Sequence, residues 1–166
     1  MEFKEIKRKN LENISEQNEE SLELGRNKIE NWEKSLEILN SIELVDVKDV
    51  SEIKETGEKI HDAYGEAFEK DVEEPLENNE AETDNIIAEI ESERDNVQDG
   101  IRKIRSLEGI SDTGKESAEG AERNLERSDS EYEQIEYESQ SITREQMKEA
   151  MELREKLKGS FFGSNF

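Results

Sequence analysis

Two short stretches of this 166-residue chain place chemistry-capable side chains at recognisable spacing. The first is GISDTGKES, Gly109 to Ser117. It approximates the phosphate-cradling loop G-x-x-x-x-G-K-[ST], in which backbone amides wrap phosphate and a Ser or Thr hydroxyl holds magnesium. Gly109, Gly114 and Lys115 fit, but Glu116 stands at the magnesium position and would bring a carboxylate towards phosphate. The loop also requires a strand before it, whereas NVQDGIRKIRSLEG has a helical pattern. Gly109 to Ser117 is therefore expected to be a turn between helices, with Thr113 as helix cap and Glu116 completing a capping box.

The second stretch is Glu58-Lys59-Ile60-His61, the Glu-x-x-His spacing of di-iron helical bundles. Such a site needs two of these motifs and further glutamates on facing helices. With one histidine in the chain, only a symmetric dimer could supply them, so His61 is expected to be solvated. One His and no Cys leave no parts for a zinc site or for a Ser/His or Cys/His nucleophile. Among 46 acids, carboxylate pairs arise by chance, and a thin helical rod offers no desolvating pocket to tune them. The Asp and Glu runs DVKD and DVEE lack the alternating ligands and glycine of a calcium loop. No catalytic residue, cofactor site or metal site is expected, and a non-enzymatic role is.

These residues must be held by elements with little apolar material. Charged residues make up 42% of the chain and apolar ones 30%, against roughly 25% and 45–50% in typical globular chains. The net charge of −23 argues against nucleic acid or anionic membrane as a partner, since each phosphate contact needs a local cation. Acidity alone permits a nucleic-acid mimic. Over a bundle of about 70–80 Å, however, the density is about one net charge per 3 Å, roughly half that of duplex DNA. No run is apolar enough to span a bilayer, and MEFKEIKRKN lacks the apolar stretch of a secretory signal. A cytoplasmic chain, or one exported without a cleaved signal, is expected, and no small-molecule substrate.

Apolar residues follow 3-4 spacing in each third of the chain. Leu22, Gly25, Ile29, Trp32, Leu36 and Leu39 form one stripe, with Phe3, Ile6, Leu11 and Ile14 before a phase slip near Asn18. A second stripe is Thr83, Ile87, Ile90, Arg94, Val97, Ile101 and Ile104, preceded by Ile53, Ile60, Tyr64, Phe68, Val72 and Leu76. The third is Ala118, Ala121, Leu125, Ser128, Tyr132, Ile135, Ser139 and Ile142. Such spacing puts each set on one narrow helix face, the seam of a coiled coil. The pattern predicts an all-α, elongated, antiparallel three-helix bundle spanning 1–158. Its helices are expected at about 2–44, 51–107 (kinked near Pro75) and 114–158, with a flexible tail over 159–166.

Asp49 or Ser51 is expected to cap the second helix. Thr143 with Gln146, flanked by Ile142 and Met147, forms a further capping box at which the last helix could restart. Polar or small residues at seam positions (Asn18, Gly25, Arg94, Ser128, Ser139) read as weak points, and each mid-helix glycine costs about 1 kcal/mol. Marginal stability is therefore expected, relieved by self-association or by a partner covering the seam.

The chain ends GSFFGSNF, with three of its five Phe in six residues. Phe161, Phe162 and Phe166 are expected either to cap the bundle end or to insert into a partner's groove, aromatics being effective anchors. With Trp32 they are the candidate partner-binding residues. Leu107-Glu108-Gly109 in a turn between helices, together with Tyr132-Glu-Gln-Ile-Glu136 as Y-x-x-x-[DE], resembles the helical-hairpin substrates and chaperone partners of type VII secretion (the WXG100 and LXG-associated families). That resemblance implies an export signal at Tyr132 and Glu136, presented with a partner. The family's turn usually carries Trp-x-Gly, whereas Trp32 here lies inside a stripe. The leading functional expectation is an acidic interaction or assembly module that binds protein through its seam and tail.

Overall fold

The computed structural model describes residues 2–43 and 46–158, and these form an all-α helical bundle. Helix α1 runs Phe3–Asn40, α2 Val47–Phe68, α3 Glu74–Arg105 and α4 Asp112–Leu157. A π-helical turn, Glu69–Glu73, joins α2 to α3 without a break, so three helical rods result. Among the described residues there is no strand.

The π turn is where the kink expected at Pro75 resolves. Proline cannot donate to the carbonyl four residues back, and its ring crowds that carbonyl. Here the turn just before it is widened, and the Glu74 amide donates to the Glu69 carbonyl, five residues back. The helix absorbs one extra residue and continues.

Both expected helix starts shift by a few residues. Asp46, not Asp49 or Ser51, caps α2, its carboxylate accepting from the Lys48 amide at 2.9 Å. Ser111, not Thr113, caps α4: its hydroxyl accepts from the Gly114 amide at 3.1 Å and its carbonyl from Lys115 at 2.8 Å. Gly109 before it takes φ +72°, the left-handed region where a Cβ is disfavoured, so the chain reverses there. Thr143–Gln146 does not restart a helix, since α4 passes through it unbroken.

Contacts divide the chain into two compact units. The first comprises residues 1–14 and 80–143. Its core is Leu11, Ile14, Ile86, Ile90, Tyr132 and Ile135, with Val97 packed against them. Lys7 pairs with Glu89, and Lys4 with Glu131. The second unit comprises residues 15–79 and 144–166. Its core holds Leu22, Ile29, Trp32, Phe68, Val72, Leu76, Ala150, Leu153 and Leu157. Within this unit α1 runs antiparallel to α2, with Lys28 on Asp71 and Trp32 against Tyr64. It runs parallel to α4, with Asn18 on Gln146 and Arg26 on Glu149. The directions are those of an up-down-up bundle.

The stripe on α4 extends beyond its expected end. After Ser139 it passes through Gln146, Ala150, Leu153 and Leu157, all buried, while Ile142 stands 43% exposed. An α-helix turns 3.6 residues, so a strict 3-4 repeat drifts and must occasionally step 4-4. The same step explains the apparent slip near Asn18, where Ile14, Asn18 and Leu22 are consecutive buried positions.

Gly25 is not a weak point. A Cβ built there meets Val72 at 3.1 Å, Phe68 at 3.2 Å and Leu153 at 3.4 Å, so its absence lets three helices close together. Gly120 is the opposite case, with nothing within 4 Å of such a Cβ inside α4. Gly120→Ala should therefore stabilise the chain by about 0.5–1 kcal/mol through helix propensity alone. A thermal melt that failed to rise would show that the helix around residue 120 is not formed in solution.

Candidate functional site

The polar residues inside the stripes turn out to be organised. In the second unit, Asn79 donates to Asn18 (2.8 Å), Asn18 donates to Gln146 (3.0 Å), and Gln146 donates to the Ser15 carbonyl (3.0 Å). Asn18 and Gln146 are buried, so this chain of amides satisfies groups that would otherwise be costly. Gln146, expected in a capping box, serves here instead. Beside this layer Arg26 forks onto Glu149, with Nη2 at 2.8 Å from one carboxylate oxygen. The guanidinium holds the Glu149 carboxyl below its usual range.

In the first unit Arg94 reaches across from α3 to three α4 carboxylates: Asp129 at 2.8 Å, Glu133 at 3.4 Å and Glu136 at 3.5 Å. Glu136 is buried, and its Oε1 has no hydrogen-bond partner among the described residues. Burial pushes its carboxyl above the usual range, Arg94 opposes this, and Glu91 and Glu133 add to it. Tyr132, one turn earlier, lies under Phe3 in an edge contact at 6.3 Å and beneath the Lys4 ammonium. Burial raises its phenol as well. The Tyr132–Glu136 pair thus faces the core of the first unit.

The sign of the Glu136 effect can be tested. A folded-state carboxyl raised above its unfolded value adds stability below the unfolded value, and that stability is lost as pH rises through the folded one. At neutral pH the ionised Glu136 is therefore a net burden. Glu136→Gln should melt higher than the parent at pH 7 and level with it near pH 4. A lower melting temperature at pH 7 would mean that the Arg94 pairing outweighs burial.

The remaining candidates separate. Trp32 is 1% exposed, against His61 at 5.1 Å and Tyr64 at 5.9 Å between ring centroids. It belongs to the core of the second unit. Phe161, Phe162 and Phe166 lie outside the described residues. His61, expected to be solvated, is half-buried, and its Nε2 bonds the Leu157 carbonyl at the end of α4. A histidine near such a carbonyl satisfies one of the acceptors every helix C-terminus leaves open. Around it lies a cleft of about 290 Å³ lined by His61, Asp62, Gly65, Glu66, Arg154 and Leu157, among others. Arg154 spans it, reaching Glu73 at 3.4 Å and the Gly65 carbonyl at 3.4 Å. Among the described residues no group of three or more potential ligands could hold a metal ion, and no helix is long and apolar enough to cross a membrane.

Beyond this level the second unit changes character. Leu157, at the end of α4, lies level with Trp32 and His61, yet α1 continues for eight residues to Asn40, and α2 begins fourteen residues before His61. Among the described residues this stretch is a two-helix hairpin. Its inner residues Leu36, Leu39, Ile53 and Ile60 are only half-buried. Towards its tip Ile38 is 64% exposed, Ile42 41% and Val47 82%. The sequence held these residues, but nothing in its periodicity shows that α4 stops short of them.

Fold and geometry together define an all-α bundle with internal polar layers and an apolar hairpin end. No protein-family model, curated protein or solved structure matches the chain.

Proposed function

We propose that this chain is a non-enzymatic protein-interaction module whose contact with a partner lies at the tip of the α1–α2 hairpin. The observation that carries this reading is the exposure of Ile38, Ile42 and Val47 together at one end of a chain that is otherwise strongly polar. Single exposed apolar residues are ordinary, as at Leu24 or Met151, but a group at one element junction is a docking signature. Seam residues first considered for this role, Leu22, Ile29, Phe68, Ile90 and Ile135 among them, are buried within the two units.

From Glu33 to Ile60 the hairpin carries eight acids and four lysines, a net charge of −4. A partner that matches it presents apolar side chains flanked by basic ones, which speeds encounter and disfavours acidic competitors. The test places a photo-crosslinking residue at Ile42, with Glu119 on α4 as an exposed control, in an extract of the source cells. A discrete adduct at position 42, absent at 119 and lost when Ile38→Glu and Val47→Glu are added, is the expected result. Equal labelling at both sites, or labelling indifferent to those two changes, overturns the reading.

A further inference from the structure

We infer that the outer face of α1 from Leu24 to Ile38 is a self-association seam, on which a second copy of this chain docks antiparallel with Asn31 on the twofold axis. The seam shares Ile38 with the reading above but does not rest on it, since Ile42 and Val47 lie outside it.

Three observations converge on it. The first is composition. Leu24, Asn27, Asn31, Ser35 and Ile38 form a row on the side of α1 turned away from the core stripe of Leu22, Gly25, Ile29, Trp32 and Leu36. Leu24 is 51% exposed and Ile38 64%, Asn27 and Asn31 are exposed, and Ser35 is half-buried. Leu24 alone would be an ordinary surface leucine. What sets the row apart is that none of its five residues is charged, in a chain where 42% of residues are.

The second is charge. Between Leu24 and Ile38 the bases Arg26, Lys28 and Lys34 balance the acids Glu30, Glu33 and Glu37, so the stretch carries no net charge within a chain at −23. Two copies that meet here avoid the repulsion that the excess of acids imposes elsewhere.

The third is symmetry. The spacing along the row is 3-4-4-3, which reads the same in both directions. A twofold interface sets the same patch of both copies together, so the patch must be complementary to itself. With Asn31 opposite Asn31, Leu24 of each copy meets Ile38 of the other, and Asn27 meets Ser35. Each Asn31 amide both donates and accepts, so the central pair satisfies itself. Glu30, 3.1 Å from Lys34 within the chain, also comes within reach of Lys34 of the second copy. Direction follows from charge. Helix α1 ends at Asn40, nine residues past Asn31, so antiparallel docking leaves the two ends about 27 Å apart, nearly three Debye lengths. Parallel docking would set the two hairpins, each with net charge −4, side by side. The contact spans about 21 Å of helix with one Leu–Ile pair at each end, which belongs with small, reversible interfaces.

Sedimentation equilibrium of the full chain from about 10 μM to about 1 mM is expected to show monomer and dimer in exchange. Asn31→Glu sets two carboxylates face to face on the axis and should raise the dimer dissociation constant by about tenfold or more, with helicity by circular dichroism unchanged. Leu24→Glu should do the same and leave the adduct at position 42 in place, whereas Ile42→Glu with Val47→Glu should leave the dimer intact. The chain contains no cysteine, so engineered thiols report direction. Oxidising Leu24→Cys chains mixed with Ile38→Cys chains should give mainly mixed 24–38 disulfides. Glu33→Cys, exposed but turned by about 200° from Asn31, should crosslink at background level. A chain monomeric throughout, or a dimer indifferent to both Glu changes, would overturn the inference. So would a preference for 24–24 and 38–38 disulfides, which would mean parallel docking.

Discussion

Trp32→Ala will lower the stability of the chain by about 3–5 kcal/mol. Among the described residues Trp32 is the largest of the fully buried side chains, packed among Tyr64, His61 and the Leu22–Leu157 cluster. Deleting an indole there leaves a cavity that three helices cannot close, and the typical stability of a domain is only about 5–15 kcal/mol. In a chain of this size the loss corresponds to roughly 10 °C or more in melting temperature. The result also decides a role. Were Trp32 a partner contact on an exposed face, truncation would move the melt by little and affect only binding. Chemical denaturation followed by circular dichroism distinguishes the two outcomes without any partner in hand.

The second large effect is expected at Arg94. Replacing it by alanine removes the one cation shown against Asp129 and Glu136 and leaves two carboxylates, 22% and 11% exposed, without that counter-charge. Breaking a sealed ion pair costs about 3–5 kcal/mol. Arg94 is itself about a fifth exposed, so about 2–3 kcal/mol is the fitting figure here. The loss should depend on pH in a stated direction. As pH falls through the carboxylate range the orphaned groups take up protons, and the variant should approach the parent. Urea titrations at pH 7 and pH 4.5 measure both. A loss of the same size at both values would place its origin in packing along the arginine stem rather than in its charge. Adding Glu136→Gln should restore part of the loss at pH 7, because the most deeply buried carboxylate is then neutral.

The helices themselves were legible because a 3-4 spacing of apolar residues has few alternatives when strand signals are absent. Leu22 to Leu39 and Thr83 to Ile104 lie on the faces expected of them. Helix ends were less legible. Several side chains able to cap a helix stand within a few residues of each start, and local sequence does not say which adopts the extended backbone that a cap requires. Asp46 rather than Asp49, and Ser111 rather than Thr113, are such cases.

What the sequence could not convey was partnership across the bundle. Asn18 reads as a flaw in its own stripe until Gln146 and Asn79, 128 and 61 residues away, are seen to satisfy it. Gly25 reads as a helix breaker until Phe68, Val72 and Leu153 are seen to need its space. Trp32 and Tyr132 were legible as core: their spacing placed them on the seam, and they are buried in the second and first units respectively. The hairpin end, by contrast, depends on where α4 stops relative to α1. That is a property of alignment between helices, which no single stripe encodes.

That alignment has its own guardian in the amide relay of Ser15, Asn18, Asn79 and Gln146. Leucines and isoleucines are nearly interchangeable, and stripes made only of them could slide by a heptad at little cost. Sliding α4 by seven residues would put Leu153 opposite Asn18 and strand a buried amide without an acceptor, at about 1–3 kcal/mol. The relay therefore works as a key in a lock, selecting one alignment among several of comparable greasiness. Substituting Asn18 and Gln146 together with leucine would be expected to make a chain that melts later yet no longer chooses a single way to be folded.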